Sequence, residues 1–371
     1  MATGHVSAIA LNLRATPGGN TIGLLRQNCR VDILSQSAGW YQVNASQDNA
    51  TLHGWAAANF IAQDTASAVP PSTTVPIADD DTHPVRQENN NVIGPDGETF
   101  GHVQHPAGFY VFGSTTLTGW LHIATQATKI SASSANVLQA VINNEGHMEA
   151  VNSYDAAFLS FGLQQWTNGA ANDAGELAGL LQEIRALDQA VFQDCFGRYG
   201  LGVAEGLAGS PPTGFLTLGG NVLNTADAKQ TLRGATWAYR FWRAGHVDAV
   251  RRAQADLAAQ RIGIACGKGV RGLTAGAWLT SEHGVALLLD EHVNRPGHVP
   301  GTLTAALDAM IADGAAADPT HWGDAQEAEL IRRYIAQRNT TTMTNSAGRA
   351  DQIARCVQQG LISGSRGSYR A

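Results

Sequence analysis

A chain of 371 residues, 44% of them hydrophobic, is long enough for two or three domains with real cores. Its net charge of −7, with no basic stripe to track phosphates, argues against a nucleic acid or another polyanion as a bulk-attracted partner. No apolar run approaches the roughly eighteen residues of a membrane helix, so no membrane span is expected.

In chain order, the N-terminus Met1-Ala2-Thr3-Gly4-His5-Val6-Ser7 lacks the basic-then-apolar pattern of a signal peptide. A protein made in the cytoplasm without a leader is the expectation, and any journey to a cell surface needs another route. Residues 5 to 63 read as short strands separated by turns. Ala8 to Arg14 ends at Pro17-Gly18-Gly19, and Ile22–Leu25, Arg30–Leu34, Gly39–Val43 and Gly54–Ala56 follow. A spacing of about ten residues fits a small all-β barrel. The pieces Asn12-Leu13-Arg14-x-x-Pro17, Gly39-Trp40-Tyr41-x-Val43 and Gly54-Trp55-x-x-x-x-Phe60-Ile61 resemble bacterial SH3-like domains. Such domains accompany cell-wall hydrolases and often bind peptidoglycan, although the family also serves protein docking. The resemblance implies that Trp40 and Trp55 belong to the barrel core.

Residues 64 to 90 are rich in Ala, Pro, Ser, Thr and Asp, and read as a semi-extended linker in which Asp79 to Asp81 form a solvated acidic run. Residues 91 to 130 read as a β-rich lead-in. It has a tight turn at Gly94-Pro95-Asp96-Gly97 and strands at Phe109–Phe112 and Gly119–Ile123. His102, His105 and His122 lack a carboxylate or cysteine at ligand spacing, so no metal is expected. The scattered Cys29, Cys195, Cys266 and Cys356 form no C-x-x-C pair, which favours isolated thiols over a zinc site or disulfides.

From 131 to 371 the pattern is helical. Val137, Leu138, Val141 and Ile142 make the apolar stripe of a helix over Ser134–Asn143, closed by Glu145-Gly146. Burial and the negative end of the helix dipole raise the pKa of a carboxylate so placed, as a general acid near neutral pH requires. Polar Asp155, Ser160, Gln164 and Gln165 then alternate with Tyr154, Phe158, Phe161 and Trp166, a mixture that lines carbohydrate clefts and also many turns. Further helices are expected at Leu177–Leu187, across Leu232–Ile262, and at Glu282–Val293, Ala325–Arg338 and Arg349–Gly360. Glu282–Val293 is apolar enough to be central, with Asp290, Glu291 and His292 at its end. Gly267-Lys268-Gly269-Val270-Arg271-Gly272 lacks the spacing and ending of a phosphate loop.

Helix, Glu145-Gly146, a short insert and Ser160-Phe161-Gly162-Leu163-Gln164-Gln165-Trp166 resemble the lysozyme-like superfamily. The resemblance covers about Val137 to Trp166. It implies that Glu145 protonates a glycosidic oxygen and that Asp155 stabilises the sugar cation or positions water. It further implies that Ser160, Gln164 and Gln165 hold water or an N-acetyl group. Tyr154 and Trp166 would line the substrate, with Glu149 a competitor lying one turn from Glu145 if that segment is helical. The transglycosylase pattern has Glu-Ser where this chain has Glu-Gly, which leaves hydrolysis and transglycosylation both open.

The fold expected is therefore multidomain: an SH3-like barrel at 1–63, a linker at 64–90, a lead-in at 91–130 and a mainly α lysozyme-like domain at 131–371. The function expected is a peptidoglycan hydrolase of muramidase type, without cofactor or metal, acting at the bacterial cell wall on glycan strands through directional contacts. A phage or secretion-system component, or an immunity protein, would be its further partner. A chitosanase- or chitinase-like glycosidase and a non-catalytic wall-binding or phage structural protein are the alternatives.

Overall fold

The computed structural model describes residues 2–6, 10–26, 29–37, 39–47, 50–64, 80, 83–104, 107–111, 113–123, 130–142 and 147–371. The chain divides into two compact units, Met1–Pro76 and Ile77–Ala371.

The first unit holds seven strands: β1 (Ala2–Val6), β2 (Ala10–Arg14), β3 (Thr21–Arg26), β4 (Arg30–Ser37), β5 (Trp40–Gln47), β6 (Ala50–Ala57) and β7 (Ile61–Asp64). They form one sheet in the order β3-β2-β6-β5-β4-β1-β7, with β3 and β7 as edges rather than the closed barrel expected. The core is Val6, Leu11, Leu13, Leu25, Cys29, Val31, Ile33, Val43, Ala45, Ala56 and Ile61. Side chains alternate along a strand, so with Val43 and Ala45 inward Trp40 faces outward. With Gly54 and Ala56 inward, Trp55 does the same. Both tryptophans are half-buried, which corrects their assignment to the core. Arg14 pairs with Trp55 in register and lays its guanidinium 5.8 Å from the Trp40 ring centre.

The second unit begins with β8 (Arg86–Glu88), β9 (Asn91–Ile93), β10 (Thr99–Val103) and β11 (Phe109–Val111), then α1 (Leu117–Ile123) and α2 (Ala132–Ile142). The segment read as linker therefore carries a strand at its end. Within it, Asp80 accepts two hydrogen bonds from Arg240 (3.0 and 2.8 Å), and Arg240 stacks 3.6 Å from the Tyr199 ring centre. Next come β12 (Val151–Asn152), β13 (Ser160–Phe161), β14 (Trp166–Thr167), α3 (Leu177–Leu187), α4 (Gln189–Cys195), β15 (Leu201–Val203), β16 (Leu216–Leu218) and β17 (Asn221–Val222). The remainder is α5 (Ala226–Lys229), α6 (Ala235–Ala244), α7 (Asp248–Cys266), β18 (Gly269–Val270), β19 (Leu273–Thr274), α8 (Ala275–Trp278), α9 (Glu282–Asn294), α10 (Val299–Ala312), α11 (Asp324–Asn339) and α12 (Ser346–Gln358).

The residues expected to be a lead-in supply three strands, β9 to β11, of a larger seven-stranded sheet. Its order, β14-β13-β12-β11-β10-β9-β8, runs through both segments as an antiparallel meander. Gly119–Ile123, expected as a strand, lies within helix α1. Thr116 starts that helix, accepting the Gly119 N–H through its hydroxyl and the Trp120 N–H through its carbonyl. Leu117 and Trp120, three apart, then share one buried face against α2. The stripe over Leu232–Ile262 splits into α6 and α7 around Gly245-His246-Val247, where a Cβ on Gly245 would lie 2.6 Å from the Glu149 Cα.

Helix α9 is buried along most of its length, and its last turn carries three consecutive titratable side chains, each to its own set of partners. Asp290 binds Arg338 and Arg349. Glu291 binds Arg295, Thr302 and the Tyr334 hydroxyl. His292 Nδ1 accepts from Arg261, which also grips Glu176. Burial pushes His292 from an ordinary 6.5 down to about 3, and burial likewise takes His283 to about 4. Both are neutral in the fold and take up a proton on unfolding. Their stabilisation is present above pH 6.5 and is lost as pH falls toward 4. Each contributes a slope of up to about 1.4 kcal/mol per pH unit in that window. Urea midpoints should therefore drop between pH 7 and pH 5, with a shallower drop in His292→Gln. Equal slopes in the two proteins would refute the account.

Candidate active site

Helix α2 buries Val137, Leu138, Val141 and Ile142 and leads directly to Asn143–Gly146. Glu145, the expected acid, lies in that segment, outside the described residues, as do His105, Phe112, Asp79 and Asp81 of the other expectations. The chain resumes at His147 in a turn, so Glu149 itself is not on a helix.

Glu149 is fully buried. Its Oε2 accepts the N–H groups of Ser114 (3.1 Å) and Thr115 (3.0 Å), and Oε1 accepts from Arg251 (2.7 Å). Arg251 in turn donates to the Gly245 carbonyl and the Thr115 hydroxyl. Burial alone would raise the pKa of Glu149. The Thr115 hydrogen bonds and the charges of His246 and Arg251 outweigh it, leaving the carboxyl below its ordinary value. It is therefore an ionised anchor joining the turn before β12 to the Ser114-Thr115 segment, and it has no exposed surface for the substrate role expected of it.

Register across the sheet sorts the remaining residues onto two faces. Val111, Val151, Phe161 and Trp166 are cross-strand partners in one row, all at most 1% exposed. Phe161 meets Phe241 of α6 with ring centres 5.2 Å apart, so this row faces the core. Trp166, expected on the substrate, is turned inward by that parity. The neighbouring row is Tyr110, Asn152, Ser160 and Thr167, on the opposite face. Ser160, itself only 2% exposed, thus stands in a polar row with three residues that local pattern had not singled out.

The two turns of this meander hold the other candidates. Between β12 and β13, Asp155 accepts the Ala157 N–H at 2.9 Å and the Asn152 amide at 3.2 Å, which closes the turn around its carboxylate. Tyr154 is 37% exposed and meets Tyr110 edge-on at 6.2 Å. Between β13 and β14, Gly162 takes a φ of +78°, and a Cβ there would strike Gln254 at 2.2 Å, so only glycine fits. Gln165 spends its amide on the Gly162 carbonyl at 2.9 Å. Gln164 is 4% exposed and Asn168 2%, and neither carboxamide has a partner for its oxygen or nitrogen. A buried unpaired polar atom costs about 1–3 kcal/mol, so each of these two carboxamides marks a place for water or a polar ligand. Asn168, which the sequence reading passed over, stands with Gln164 in this respect.

Two grooves, of about 520 Å³ against Gln182, Arg185 and Glu205 and about 280 Å³ against Ser134, Glu183 and Asp256, take in none of these residues. Among the described residues, no group of three His, Cys, Asp or Glu side chains could hold a metal ion, and no helix is long and apolar enough to cross a membrane. Burial holds the thiols of Cys195 and Cys266 up at about 12, which leaves them poor nucleophiles. The chain matches no protein-family model, no curated protein and no solved structure.

Proposed function

We propose that the chain is a peptidoglycan glycosidase of muramidase type, with Glu145 as general acid and Asp155 as second carboxylate. The observation that carries this reading is the polar sheet row Tyr110-Asn152-Ser160-Thr167. Tyr110 precedes α2 in the chain and the other three residues follow it, with Asp155 on the turn between β12 and β13 and the unpaired Gln164 carboxamide on the turn between β13 and β14. A glycan presents hydroxyl and N-acetyl groups for such amides and a pyranose face for Tyr154 and Tyr110. The short motifs around Glu145 and Ser160, similar to those of the lysozyme-like superfamily, support the same chemistry. The first unit is read as an SH3-like wall-binding module, and the outward Arg14, Trp40 and Trp55 suit stacking on sugar or peptide.

Incubation with purified sacculi tests the reading, with the released fragments analysed for new reducing ends or anhydro ends. Release of either supports it and separates hydrolysis from transglycosylation. Cleavage of chitosan or chitin with sacculi untouched would favour the alternative glycosidase. Inactivity on all of these would leave a wall-binding or structural role. Deleting the first unit should slow digestion of whole sacculi about tenfold or more, through lost effective concentration, and leave turnover of short soluble oligomers nearly unchanged. An equal loss on both substrates would instead make that unit a support for the second.

A further inference from the structure

The segment from Thr225 to Arg233 sends two cations, four residues apart, into the Asp155 turn and into the loop that follows β14. Lys229 ends α5 and is fully buried. Its ammonium donates to the carbonyls of Gly169 (3.0 Å) and Asp173 (2.5 Å) and lies 5.7 Å from the Phe215 ring centre. Arg233 ends the following 3-10 turn. Its guanidinium donates to the carbonyls of Ser153 (2.6 Å) and Asp155 (2.7 Å) and lies 4.6 Å from the Phe158 ring centre. The Arg233 carbonyl completes the junction by accepting the Ser153 hydroxyl at 3.2 Å.

The choice of acceptors is informative. Arg233 meets the backbone of Asp155 and not its carboxylate, so it fixes the turn without neutralising the charge the turn presents. Phe158 adopts a φ of +64°, costly for a residue with a Cβ, and lies under that guanidinium. Lys229 holds the Gly169 carbonyl, immediately after Asn168 with its unpaired carboxamide. Burial depresses the pKa of Lys229, the Asp173 charge opposes that, and two carbonyls replace its lost water. We propose that Lys229 and Arg233 are positioning residues, a two-cation clip that sets the spacing between the Asp155 turn and the Asn168 loop as the two walls of the site. The assignment rests on the glycosidase reading for its effect on turnover, and on the carbonyl contacts alone for its effect on the loops.

The experiment uses the full chain with Arg233→Ala, Arg233→Lys and Lys229→Met, assayed on soluble peptidoglycan oligomers and by amide hydrogen exchange. Arg233→Ala should lower kcat about 10- to 100-fold with KM changed less than threefold, the signature of misplaced groups rather than lost binding. Exchange at Ala157 and Phe158 should quicken at least tenfold while α9 stays protected. Added guanidinium ion should restore part of both. Arg233→Lys should recover less, because one ammonium does not reproduce the planar fork. Lys229→Met should quicken exchange at Asp173 and Gly175 instead. Activity and exchange unchanged in Arg233→Ala would overturn the clip. So would activity lost with Ala157 and Phe158 still protected, or protection lost throughout the second unit with no response to guanidinium. A wild-type chain inactive on every glycan would end the glycosidase reading, and exchange at the two loops would then decide the clip by itself.

Discussion

Glu145→Gln should leave a folded chain that digests sacculi at least a hundredfold more slowly than wild type. The amide keeps the size and the acceptor oxygen of the carboxyl group but has no proton to deliver to a leaving oxygen. Loss of a general acid typically costs about a hundredfold or more. Asp155→Asn, compared at matched stability, should lower kcat/KM about 10²- to 10³-fold if that carboxylate faces the developing positive charge, since such a contact strengthens mainly in the transition state. Asparagine retains an oxygen for the Ala157 N–H, so the turn itself should survive the change. Normal release of muropeptides by Glu145→Gln would end the assignment of the acid. An active Asp155→Asn would remove only the second carboxylate.

Arg251→Met should destabilise the second unit by about 3–5 kcal/mol at neutral pH, the usual effect of stripping one partner from a buried ion pair. The carboxylate left behind has no exposed surface, and the neighbouring His246, held below its ordinary pKa by burial, does not replace the lost positive charge at neutral pH. Glu149→Gln removes the charge and keeps the shape, so the double variant should be less unstable than the sum of the two single ones. Because the folded fold holds Glu149 below its ordinary 4.5, the stabilisation is present above that pH and fades as pH falls through the lowered value. The penalty of Arg251→Met should shrink over the same acid range. Urea unfolding of both single variants and the double variant measures all of this. A cost under about 1 kcal/mol for Arg251→Met would show that the pair does not hold the Ser114-Thr115 segment to the turn before β12. An inactive Glu149→Gln would not by itself make Glu149 catalytic, because the change strikes an anchor of the site.

Local periodicity by itself determined a good deal. Helices α3, α9, α11 and α12 fall within a few residues of their apolar stripes. The ten-residue rhythm of the first unit gave strands β2 to β6, because repeats of 3.6 and 2 are properties of the chain alone. The stretch from 154 to 166 was legible as polar groups among rings, although not which of them share a face. Tertiary structure decided what those patterns leave open. Trp40, Trp55 and Trp166 are alike in the sequence, yet strand register turns the first two outward and the third into the core. Gly119–Ile123 has the aromatic and β-branched look of a strand, but contact with α2 and the Thr116 start make it a helix. Glu149 reads as a free acid beside Glu145 until Arg251, 102 residues away, is folded against it. The same holds for Lys229 and Arg233, whose carbonyl partners lie 56 to 80 residues earlier. Backbone carbonyls carry no residue-type signature, so contacts of that kind leave no mark in a single sequence and exist only once the loops are brought together.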